Sequence, residues 1–430
     1  MRALVVGGGG REHALCWALH RDTPGATLFA APGNPGTATL GTNLNVQATE
    51  VAKVVEVVEA NRIDLTIVGP EAPLAAGLAD RLRGAGRAVF GPSQAAARLE
   101  SSKAYAKEVM RRAGVPTADS RTFTDLPSAL DYIRAHREPL VVKASGLAAG
   151  KGAVVCDTRP TAAATARAML ADGALGEAGR EIVVEEFLEG EELSVLALTD
   201  GERIVILPPA QDHKRLGEGD TGPNTGGMGA YCPVSVAKAP LLARVRRDVL
   251  EPVLREMAAQ GAPYEGVLYA GLMLAADGTP YVLEFNCRFG DPEAQVVLPG
   301  LAPGISQHFL DIGFGNWRPA TDVVAPVRAA VTTVLAARGY PDRPEKGVAI
   351  TLPPAEELGS DVLVFHAGTF RDPDGRLRTA GGRVLNVTGL AATVPAAARA
   401  STAACERIAF EGKTWRRDIA WREIERAGAA

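Results

Sequence analysis

Long hydrophobic runs, paired cysteine motifs and an excess of either charge are all missing from this 430-residue sequence. No apolar stretch approaches the roughly 20 residues that a membrane-spanning helix needs, and no signal-peptide profile is present. The five cysteines are scattered, odd in number and without a Cys-x-x-Cys pair, which argues against a disulfide framework or a zinc site. The formal charge of -4 provides no basic field for nucleic acid. We therefore expect a globular protein of the cytoplasm that binds neither nucleic acid nor membrane.

Apolar sequence is sufficient for several hydrophobic cores, since 47% of the residues are hydrophobic and 22% are charged. At about 100–200 residues per domain, the length predicts about three or more domains. Short apolar strands alternate with helical patterns in the first hundred residues, which predicts a doubly wound parallel sheet with ligands at the carboxyl ends of its strands. The predicted strands are Ala3–Val6, Thr27–Ala30, Leu65–Val68 and Ala88–Phe90.

The sequence pattern of the rest of the chain predicts mixed α and β structure. A long helix is predicted from about Gln94 to Ala113, and residues 190–320 contain longer strands separated by the helical pattern Ala239–Gln260. From about residue 325, short strands and a final helix beginning near Pro395 predict a β-rich domain. The expected domains are 1–101 (α/β), 102–322 (a central core containing a small α+β unit at 117–188) and 323–430 (C-terminal).

Residues 280–293 carry the pattern most indicative of chemistry, because Glu284 and Asn286 stand two apart on a predicted strand. Side chains at this spacing point to one face of a strand. A carboxylate and an amide oxygen suit Mg²⁺, which completes its coordination with substrate phosphates. Arg288, two residues further on the same face, could meet a developing phosphate or carboxylate charge. For this segment alone, a strand with a polar solvent face remains an alternative.

The glycines at Gly7–Gly10 follow the first predicted strand but do not form a dinucleotide fingerprint. That fingerprint would need glycine where Glu12 or His13 stands. A strand–glycine–helix turn with free backbone N–H groups and Arg11 could still hold one phosphate. A simple tight turn is the alternative.

A second glycine-rich segment, between Lys143 and Gly152, departs from the Walker A motif. Three residues instead of four separate Gly146 from Gly150, and glycine follows Lys151 where serine or threonine is needed. Strands flank it on both sides, so the segment predicts a mobile hairpin that could close over a triphosphate and exclude water. A plain surface hairpin is the alternative.

Two further segments have features of ligand-binding loops. At 185–194, an extended hinge could offer backbone groups to a purine edge, with Phe187 and Leu188 as apolar walls and Glu192 as a ligand for ribose hydroxyls. A solvated acidic loop is the alternative there. Residues 211–230 are predicted to form a long substrate-binding loop. His213 in that loop has no serine or cysteine partner at recognisable spacing, which leaves a hydrolase triad unsupported.

Together these segments resemble the ATP-grasp enzymes, and within them the phosphoribosylamine–glycine ligase (glycinamide ribonucleotide synthetase) family. The resemblance covers nearly the whole chain, in order and at similar spacing. It implies that ATP phosphorylates the carboxylate of glycine and that the amine of 5-phosphoribosylamine then displaces the phosphate. The segments are GGGGREHAL, APGNPGT, DLTIVGPEAPL, FGPS, ASGLAAGKG, EEFLEGEE, QDHKR, TGPNTGGMGAY, YAGLM, EFNCRFGDPE and FHAGT.

The resemblance implies roles for individual residues and a monomeric enzyme. By this resemblance, Arg288, Lys143 and Asp212 are the catalytic candidates, while Glu284 and Asn286 hold Mg²⁺ or Mn²⁺. The residues expected to bind ATP are Lys103, Lys143, Gly146, Gly150, Lys151, Gly152, Glu185, Phe187, Leu188 and Glu192. Those expected to face glycine or phosphoribosylamine are Gly9, Gly10, Arg11, Asn34, Glu71, Asp212, Thr225, Gly226, Arg288 and Gly290. Residues 1–101 would bind phosphoribosylamine, 102–322 would form the ATP-grasp core, and 117–188 its lid.

The sequence departs from two expected patterns. Ser145 stands where the family usually has aspartate after Lys-Ala. The segment Gly271–Met273 lacks the carboxylate that many ATP-grasp enzymes use as a first metal ligand, an absence that resembles this ligase family and leaves fewer protein ligands for the metal. The alternatives are an ATP-grasp ligase for another acid or amine, a nucleotide-binding oxidoreductase, and a nucleotide sensor without catalysis. The broken fingerprint disfavours the oxidoreductase, and a sensor would not need Glu284, Asn286 and Arg288 intact.

Overall fold

The computed structural model describes residues 1–148 and 150–429, and its N-terminal part is the predicted parallel α/β sheet. The strand order is β3-β2-β1-β4-β5, with every pair parallel. Its central strands are buried on both faces, as their continuous apolar sequences require. The strands are β1 (Arg2–Gly7), β2 (Thr27–Pro32), β3 (Thr42–Asn43), β4 (Leu65–Val68) and β5 (Ala88–Phe90). The helices are α1 (Gly10–Asp22), α2 (Val51–Ala60), α3 (Glu71–Ala75) and α4 (Leu78–Gly84).

The single helix predicted from Gln94 to Ala113 is wrong, because two helices, α5 (Gln94–Ser101) and α6 (Lys103–Ala113), occupy this stretch. Ser102 between them has an extended backbone, and its hydroxyl accepts a hydrogen bond from the Tyr105 N–H at 3.2 Å. A serine in this conformation caps the second helix and thereby ends the first. The break places the last turn of α5 and the first residue of α6 beside the same cleft.

The α+β unit that follows contains an antiparallel sheet of order β6-β9-β7-β8. Strands β7 and β8 pair with Lys143 opposite Ala153, so the glycine-rich segment joins them as the predicted hairpin. Ala149 of that hairpin lies outside the described residues. The strands are β6 (Ser120–Phe123), β7 (Leu140–Ala144), β8 (Ala153–Cys156) and β9 (Ile182–Glu186). The helices are α7 (Leu126–Ala135) and α8 (Arg159–Leu170).

The central region is built on an antiparallel sheet of order β11-β10-β16-β17. A bulge at Leu283 shifts the register of β17 just before Glu284. The strands are β10 (Glu191–Thr199), β11 (Ile204–Ile206), β12 (Gln211–Asp212), β13 (Arg215–Gly217), β14 (Thr221–Asn224), β15 (Gly229–Cys232), β16 (Gly266–Leu274) and β17 (Pro280–Asn286). The helices are α9 (Ala239–Val245), α10 (Glu251–Ala259), α11 (Ala294–Gly300) and α12 (Ile305–Gly313), with a π-helical turn at Arg246–Leu250 joining α9 to α10.

Two predictions in this region are wrong. Strand β17 ends at Asn286, so Arg288 lies in the turn after the strand and not on its face. A turn is favoured there because Gly290 and Pro292 follow closely, and proline cannot donate to a strand ladder. The stretch 211–230 is not an unstructured loop, since four short strands, β12 to β15, occupy most of it.

The C-terminal region completes an antiparallel sheet of order β12-β15-β18-β22-β19, so two of its five strands come from the central region. No helix among the described residues is long and apolar enough to cross a membrane. The helix α15 was not predicted. The strands are β18 (Ala329–Ala336), β19 (Val362–His366), β20 (Thr369–Arg371), β21 (Leu377–Thr379) and β22 (Arg383–Ala391). The helices are α13 (Ala355–Leu358), α14 (Val394–Arg407) and α15 (Trp421–Ala429).

Candidate active site

A cleft of about 310 Å³ lies where the sheet β6-β9-β7-β8 (the predicted lid), the central sheet and the end of α5 meet. Most of the candidate residues line it. Those that do are Glu71, Lys103, Lys143, Gly150, Gly152, Glu185, Phe187, Leu188, Glu192, Asp212, Thr225, Gly226, Glu284, Asn286 and Arg288. Those absent from its lining are Gly9, Gly10, Arg11, Asn34, Gly146, Lys151 and Gly290.

A buried cluster of two lysines and one glutamate lies on the lid side of the cleft. Glu185 accepts an ion-pair contact from Lys143 Nζ at 2.8 Å and another from Lys107 Nζ at 3.2 Å. Lys143 also donates to the backbone oxygen of Leu283 at 3.0 Å, which ties the lid sheet to the bulge of β17. Glu185 was predicted to line an adenine pocket, and the structure places it as the counter-ion of the lysine predicted to contact phosphate.

The candidate adenine end of the cleft is formed by the connection between β9 and β10. Phe187 and Leu188 lie in this connection, and Phe187 is one of the exposed large apolar side chains of the protein. Apolar residues of the lid and the central sheet complete the walls: Val141, Leu147, Val155 and Met273. An apolar slot with an adjacent polar edge is the kind of site that receives a planar base.

Glu284 and Asn286 form the candidate metal site on β17. Burial would raise the pKa of the Glu284 carboxyl group, but Lys214, Lys103 and other nearby cations hold that pKa below its ordinary value. The carboxylate is therefore ionised and available as a hard ligand. Asn286 is buried, and its Oδ1 accepts from Arg288 Nη2 at 3.1 Å. One carboxylate and one amide oxygen facing a cationic cleft fit Mg²⁺ with phosphate ligands.

Lys214 is a cation of this site that the sequence prediction omitted. Its Nζ lies 2.6 Å from Glu192 Oε2, the carboxylate expected to bind ribose. Its charge is also the strongest of those that keep Glu284 ionised. Lys214 thus stands between the ribose end and the metal end of the cleft, where a triphosphate would pass. Its position within the QDHKR segment was the available signal.

Arg288 is surrounded by groups from three parts of the chain. Its Nη2 lies 2.8 Å from Glu100 Oε1, and its Nε lies 3.4 Å from Glu71 Oε2. Its Nη1 donates to the backbone oxygen of Phe289 at 3.3 Å. Glu71 begins α3 in the N-terminal region, whereas Asn286 ends β17 in the central region. The guanidinium therefore links the candidate phosphoribosylamine side to the candidate metal side.

Asp212, which is half-buried, and Glu293, which is buried, are two carboxylates that line the cleft. Burial, reinforced by the charge of Glu293, raises the pKa of Asp212 well above its ordinary value. Asp212 Oδ1 is buried without a hydrogen-bond partner among the described residues. Glu293 Oε1 accepts from the hydroxyls of Tyr269 at 2.8 Å and Ser194 at 3.0 Å. A β-carbon at Gly290 would come within 2.2 Å of Glu293 Oε2, so only glycine leaves room there. A carboxylate pair with a buried, unpartnered oxygen favours a cationic ligand.

Thr225 and Gly226 close the site on the C-terminal side. Thr225 Oγ1 donates to the backbone oxygen of Lys214 at 2.9 Å, which connects the loop to the cationic part of the cleft. The Gly226 N–H donates to the hydroxyl of Tyr340 at 3.0 Å, and its carbonyl accepts from Arg383. C-terminal residues thereby hold a loop that lines the cleft.

The first glycine loop is less free than its sequence predicts. The Gly9 N–H donates to Glu12 Oε2 at 2.6 Å. The Glu12 carboxylate therefore already binds an N–H group that was expected to be free to bind phosphate. The prediction of free N–H groups is wrong at this residue, because Glu12 forms a capping box with the start of α1. Arg11 is buried against Glu12 at 2.6 Å and donates to the backbone oxygen of Phe289 at 3.2 Å.

Asn34 connects three loops through its side chain. Its amide nitrogen donates to the backbone oxygens of Gly8 at 3.0 Å and His366 at 2.8 Å, and its Oδ1 accepts from the Gly36 N–H at 2.8 Å. His13 Nδ1 accepts the His366 N–H at 2.9 Å in the same interface. Asn34 and His13 therefore hold the N-terminal loops against the C-terminal sheet.

Gly10, Gly146 and Lys151 are not among the residues that line the cleft. A β-carbon at Gly10 would collide with Asn386 Nδ2 at 2.2 Å, so this glycine allows α1 to pack against β22. Gly146 packs in the same close way against Ala178, and Lys151 is exposed at the hairpin tip. Contact of Gly146 and Lys151 with a triphosphate stays a prediction.

Comparison with known families gives three matches that together cover most of the chain. The phosphoribosylglycinamide synthetase models match as the N domain over residues 1–100, the ATP-grasp (A) domain over 101–294 and the C domain over 330–422. Full-length relatives are equally consistent. The chain is 48% identical over 426 residues to phosphoribosylamine–glycine ligase of Ralstonia nicotianae, covering 99% of this chain and 100% of that relative. The corresponding protein of Yersinia pestis is 46% identical over 428 residues, again covering 99% of this chain and 100% of the relative.

Solved structures agree. A crystal structure of phosphoribosylamine–glycine ligase from Thermotoga maritima superposes with a TM-score of 0.86 at 37% identity, covering 98% of this chain and 100% of that one. The biotin carboxylase domain of a Hydrogenobacter thermophilus 2-oxoglutarate carboxylase, solved with MgADP, gives a TM-score of 0.74 at 17% identity, covering 96% and 91%, and shows a shared fold only. By its domains, its full-length relatives and its architecture, the chain belongs to the phosphoribosylamine–glycine ligase family of ATP-grasp enzymes.

Proposed function

We propose how the residues of this cleft carry out the reaction of the family. That reaction ligates glycine to 5-phosphoribosylamine in purine biosynthesis, with ATP converted to ADP and phosphate, and this chain catalyses it. Glycine carboxylate is a poor acyl donor because oxide would have to leave. Transfer of the γ-phosphoryl group to a carboxylate oxygen gives glycyl phosphate, in which phosphate is a good leaving group. The protein's contribution is then mainly orientation and neutralisation of charge.

ATP is assigned to the slot between the lid and the central sheet. The base lies between Phe187, Leu188 and the apolar lid residues, and Glu192 receives the ribose hydroxyls. Lys143, Lys103 and Lys214 meet the phosphates, since all three cations face the same part of the cleft. Each lysine is paired with or close to a carboxylate in this structure, so phosphate binding exchanges one anionic partner for another.

Glu284 and Asn286 would hold the divalent cation that accompanies ATP. Mg²⁺ bound there would neutralise phosphate charge and polarise the transferred group. We further propose that Mn²⁺ can replace Mg²⁺, because an ionised carboxylate and an amide oxygen suit both ions. Glu284→Ala should abolish turnover while leaving the fold intact. Normal turnover of this variant with Mg²⁺ would contradict the metal assignment.

Glycine is assigned to the space beside Asp212, Gly290 and Arg288. The unpartnered oxygen of Asp212 receives the ammonium group, and Glu293 adds to the negative potential. Arg288 meets the phosphate that forms on the carboxylate. The arrangement of Arg288 between Asn286 and Glu71 carries this proposal, because it places one cation at the junction of the metal and amine sides.

The amine substrate is assigned to the side of the N-terminal sheet. Arg11 and Glu71 face Arg288 and Asp291 across the junction, so a phosphoribosylamine held there would present its amine to the acyl phosphate. The amine nitrogen forms the new bond to the acyl carbon, phosphate leaves with the bonding electrons, and the nitrogen loses a proton. Gly9, Gly10 and Asn34 shape the loops around this position.

We propose that the enzyme is monomeric. We also propose a cytoplasmic location, because all five cysteines are free thiols, as is usual in a reducing compartment.

ADP release measured with each substrate omitted in turn tests the assignment. We expect release to require glycine and phosphoribosylamine together in the wild type, and we expect Arg288→Lys to lower turnover strongly at unchanged ATP affinity. ADP release in the absence of both substrates, or with an unrelated acid alone, would refute the assigned function. Wild-type turnover of Arg288→Lys would refute the role of Arg288.

A further inference from the structure

Glu100 is a buried carboxylate that none of the sequence motifs indicated. It lies in the last turn of α5, and its side chain is only 7% exposed. Its Oε1 lies 2.8 Å from Arg288 Nη2. Its Oε2 accepts from the Cys287 N–H at 2.7 Å and from Cys287 Sγ at 3.1 Å. One carboxylate thus fixes both the guanidinium of Arg288 and the backbone immediately before it.

The other contacts of Arg288 are weaker or more open to exchange. Glu71 lies 3.4 Å from Nε and its side chain is 27% exposed, so this contact is long and reachable by substrate. The bonds from Arg288 to Asn286 and to the backbone of Phe289 measure 3.1 and 3.3 Å. Glu100 provides the shortest contact of the set, and the same carboxylate also accepts from the backbone N–H of Cys287.

The position of α5 explains why this contact suits a holding role. The helix packs against α3, which begins with Glu71, and against β17, which carries Glu284 and Asn286. Its N-terminus is capped by Ser93, whose Oγ accepts from the Ala96 N–H. A capped helix packed on both sides of the junction is a rigid support. A long arginine side chain needs such support to present its charge in one geometry.

We propose that Glu100 is a positioning residue for the ligation: it sets the guanidinium of Arg288 at the place where the phosphate of glycyl phosphate develops. The proposal rests on the role assigned to Arg288 above. Glu100 affects the reaction only through Arg288, and the other N–H groups of Arg288 are left for the substrate. An isolated buried arginine would instead turn toward Glu71 or the backbone and lose the orientation that charge neutralisation requires.

The test compares Glu100→Gln, Glu100→Asp, Arg288→Lys and the double variant Glu100→Gln/Arg288→Lys. Glutamine keeps the shape and the acceptor for Cys287 but removes the charge that holds Arg288. We expect kcat to fall roughly 10²-fold, the size of effect that follows from misplacing a reacting group by about 1 Å, while the KM for ATP stays unchanged. Aspartate retains the charge at shorter reach and should recover part of kcat. The double variant should be no slower than the slower single variant, since both changes act on one group.

Glu265→Gln serves as the matched control. Glu265 pairs with Arg83 of α4 at 2.8 Å, so this ion pair joins the N-terminal region to the central region as the Glu100–Arg288 pair does, but Glu265 lies outside the cleft. The same chemical change there should leave kcat and both substrate KM values at wild-type level. Thermal unfolding of every variant distinguishes a loss of folded protein from a loss of catalytic rate. If Glu100→Gln is unstable, Glu100→Asp replaces it in the comparison with the wild type.

Two results would overturn the inference alone. One is a wild-type kcat for folded Glu100→Gln while Arg288→Lys is slow. The other is a double variant whose loss equals the product of the two single losses, which would mean that Glu100 acts independently of Arg288. A wild-type kcat for Arg288→Lys would instead remove the role of the arginine itself, and this inference with it.

Discussion

Replacement of Glu185 by glutamine should destabilise the ligand-free protein and increase its response to MgATP. The Glu185 side chain is 2% exposed, and its carboxylate is the shared counter-ion of Lys143 and Lys107. Glutamine has the same shape but no charge, so both ammonium groups lose their compensation in a buried place. Lys143 retains the backbone oxygen of Leu283, and Lys107 retains Thr117 Oγ1 at 2.8 Å, which limits the damage.

The magnitude follows from the cost of leaving buried charge unpaired. Removing one partner of a buried ion pair costs about 3–5 kcal/mol, and the retained hydrogen bonds favour the lower end, about 3 kcal/mol. An unfolding entropy of about 2.1 cal/mol/K per residue gives about 0.9 kcal/mol/K for 430 residues unfolding in one transition. The expected loss is therefore about 3 °C in Tm.

MgATP should then stabilise the variant more than the wild type. A ligand at a hundred times its Kd contributes about 2.7 kcal/mol of stability. In the variant the triphosphate also supplies the negative charge that Lys143 has lost, and it no longer competes with a carboxylate for that lysine. Scanning calorimetry or dye-monitored unfolding, with and without saturating MgATP, measures both shifts.

Glu177→Gln is the control, because Glu177 pairs with Arg180 in the same α+β unit while both side chains are almost fully exposed. This control should match the wild type with and without nucleotide. The reasoning fails if Glu185→Gln keeps the wild-type Tm without ligand. It also fails if MgATP stabilises the variant less than the wild type, since Glu185 would then act as a ligand of the base, as the sequence resemblance implies.

Three further predictions concern single side chains. Ser145→Ala should cost about 1 kcal/mol in unfolding free energy, because the serine hydroxyl accepts from the Ala104 N–H at the start of α6 at 3.1 Å; urea unfolding measures it. Asp212→Asn should raise the KM for glycine and make that KM independent of pH. In the wild type the raised pKa of Asp212 means that KM rises as pH falls through that pKa, since only the carboxylate binds the ammonium group. His13→Gln should reduce acid sensitivity. Burial lowers the pKa of His13 to about 3, so between pH 6.5 and 3 the unfolded chain binds the extra proton and stability falls as pH falls, by at most about 1.4 kcal/mol per pH unit.

Each of these expectations has a result that would contradict it. Unchanged stability of Ser145→Ala would show that the hydroxyl does not act as a cap. A glycine KM that keeps its wild-type pH profile in Asp212→Asn would assign the titration to a group other than Asp212. Parallel pH–stability curves for His13→Gln and the wild type at pH 4 to 6 would mean that His13 is not buried in its neutral form.

Local sequence pattern was sufficient wherever the structure depends on neighbours in the chain. The predicted strands Leu65–Val68 and Ala88–Phe90 match β4 and β5, because a short apolar run between turn residues reports directly on a buried strand. The same holds for Glu284 and Asn286, whose spacing places them on β17. The family resemblance then supplied the reaction, which no local pattern contains.

Contacts between residues that are far apart in the chain could not be predicted from the sequence. In the sequence, β15 has the pattern of a glycine-rich loop. It forms a strand because it pairs with β18, about a hundred residues later in the chain. Ser102 interrupts a good helical pattern because capping competes with propagation at that residue. The partners of Arg288 were also hidden, because Glu100 lies 188 positions away and only the packing of α5 on β17 brings the two together.

The carboxylates of the cleft share one physical reason for their positions. A cleft that binds a triphosphate needs several cations, and cations gathered in a buried site repel one another unless anions separate them. Glu185 does this for Lys143, Glu192 for Lys214 and Glu100 for Arg288. When phosphate arrives, Glu185 and Glu192 can give way to it, while Glu100, which also accepts from the Cys287 N–H, keeps its contact with Arg288. The cations are consequently in place before the substrate binds, and little reorganisation remains at the moment when charge develops on glycine.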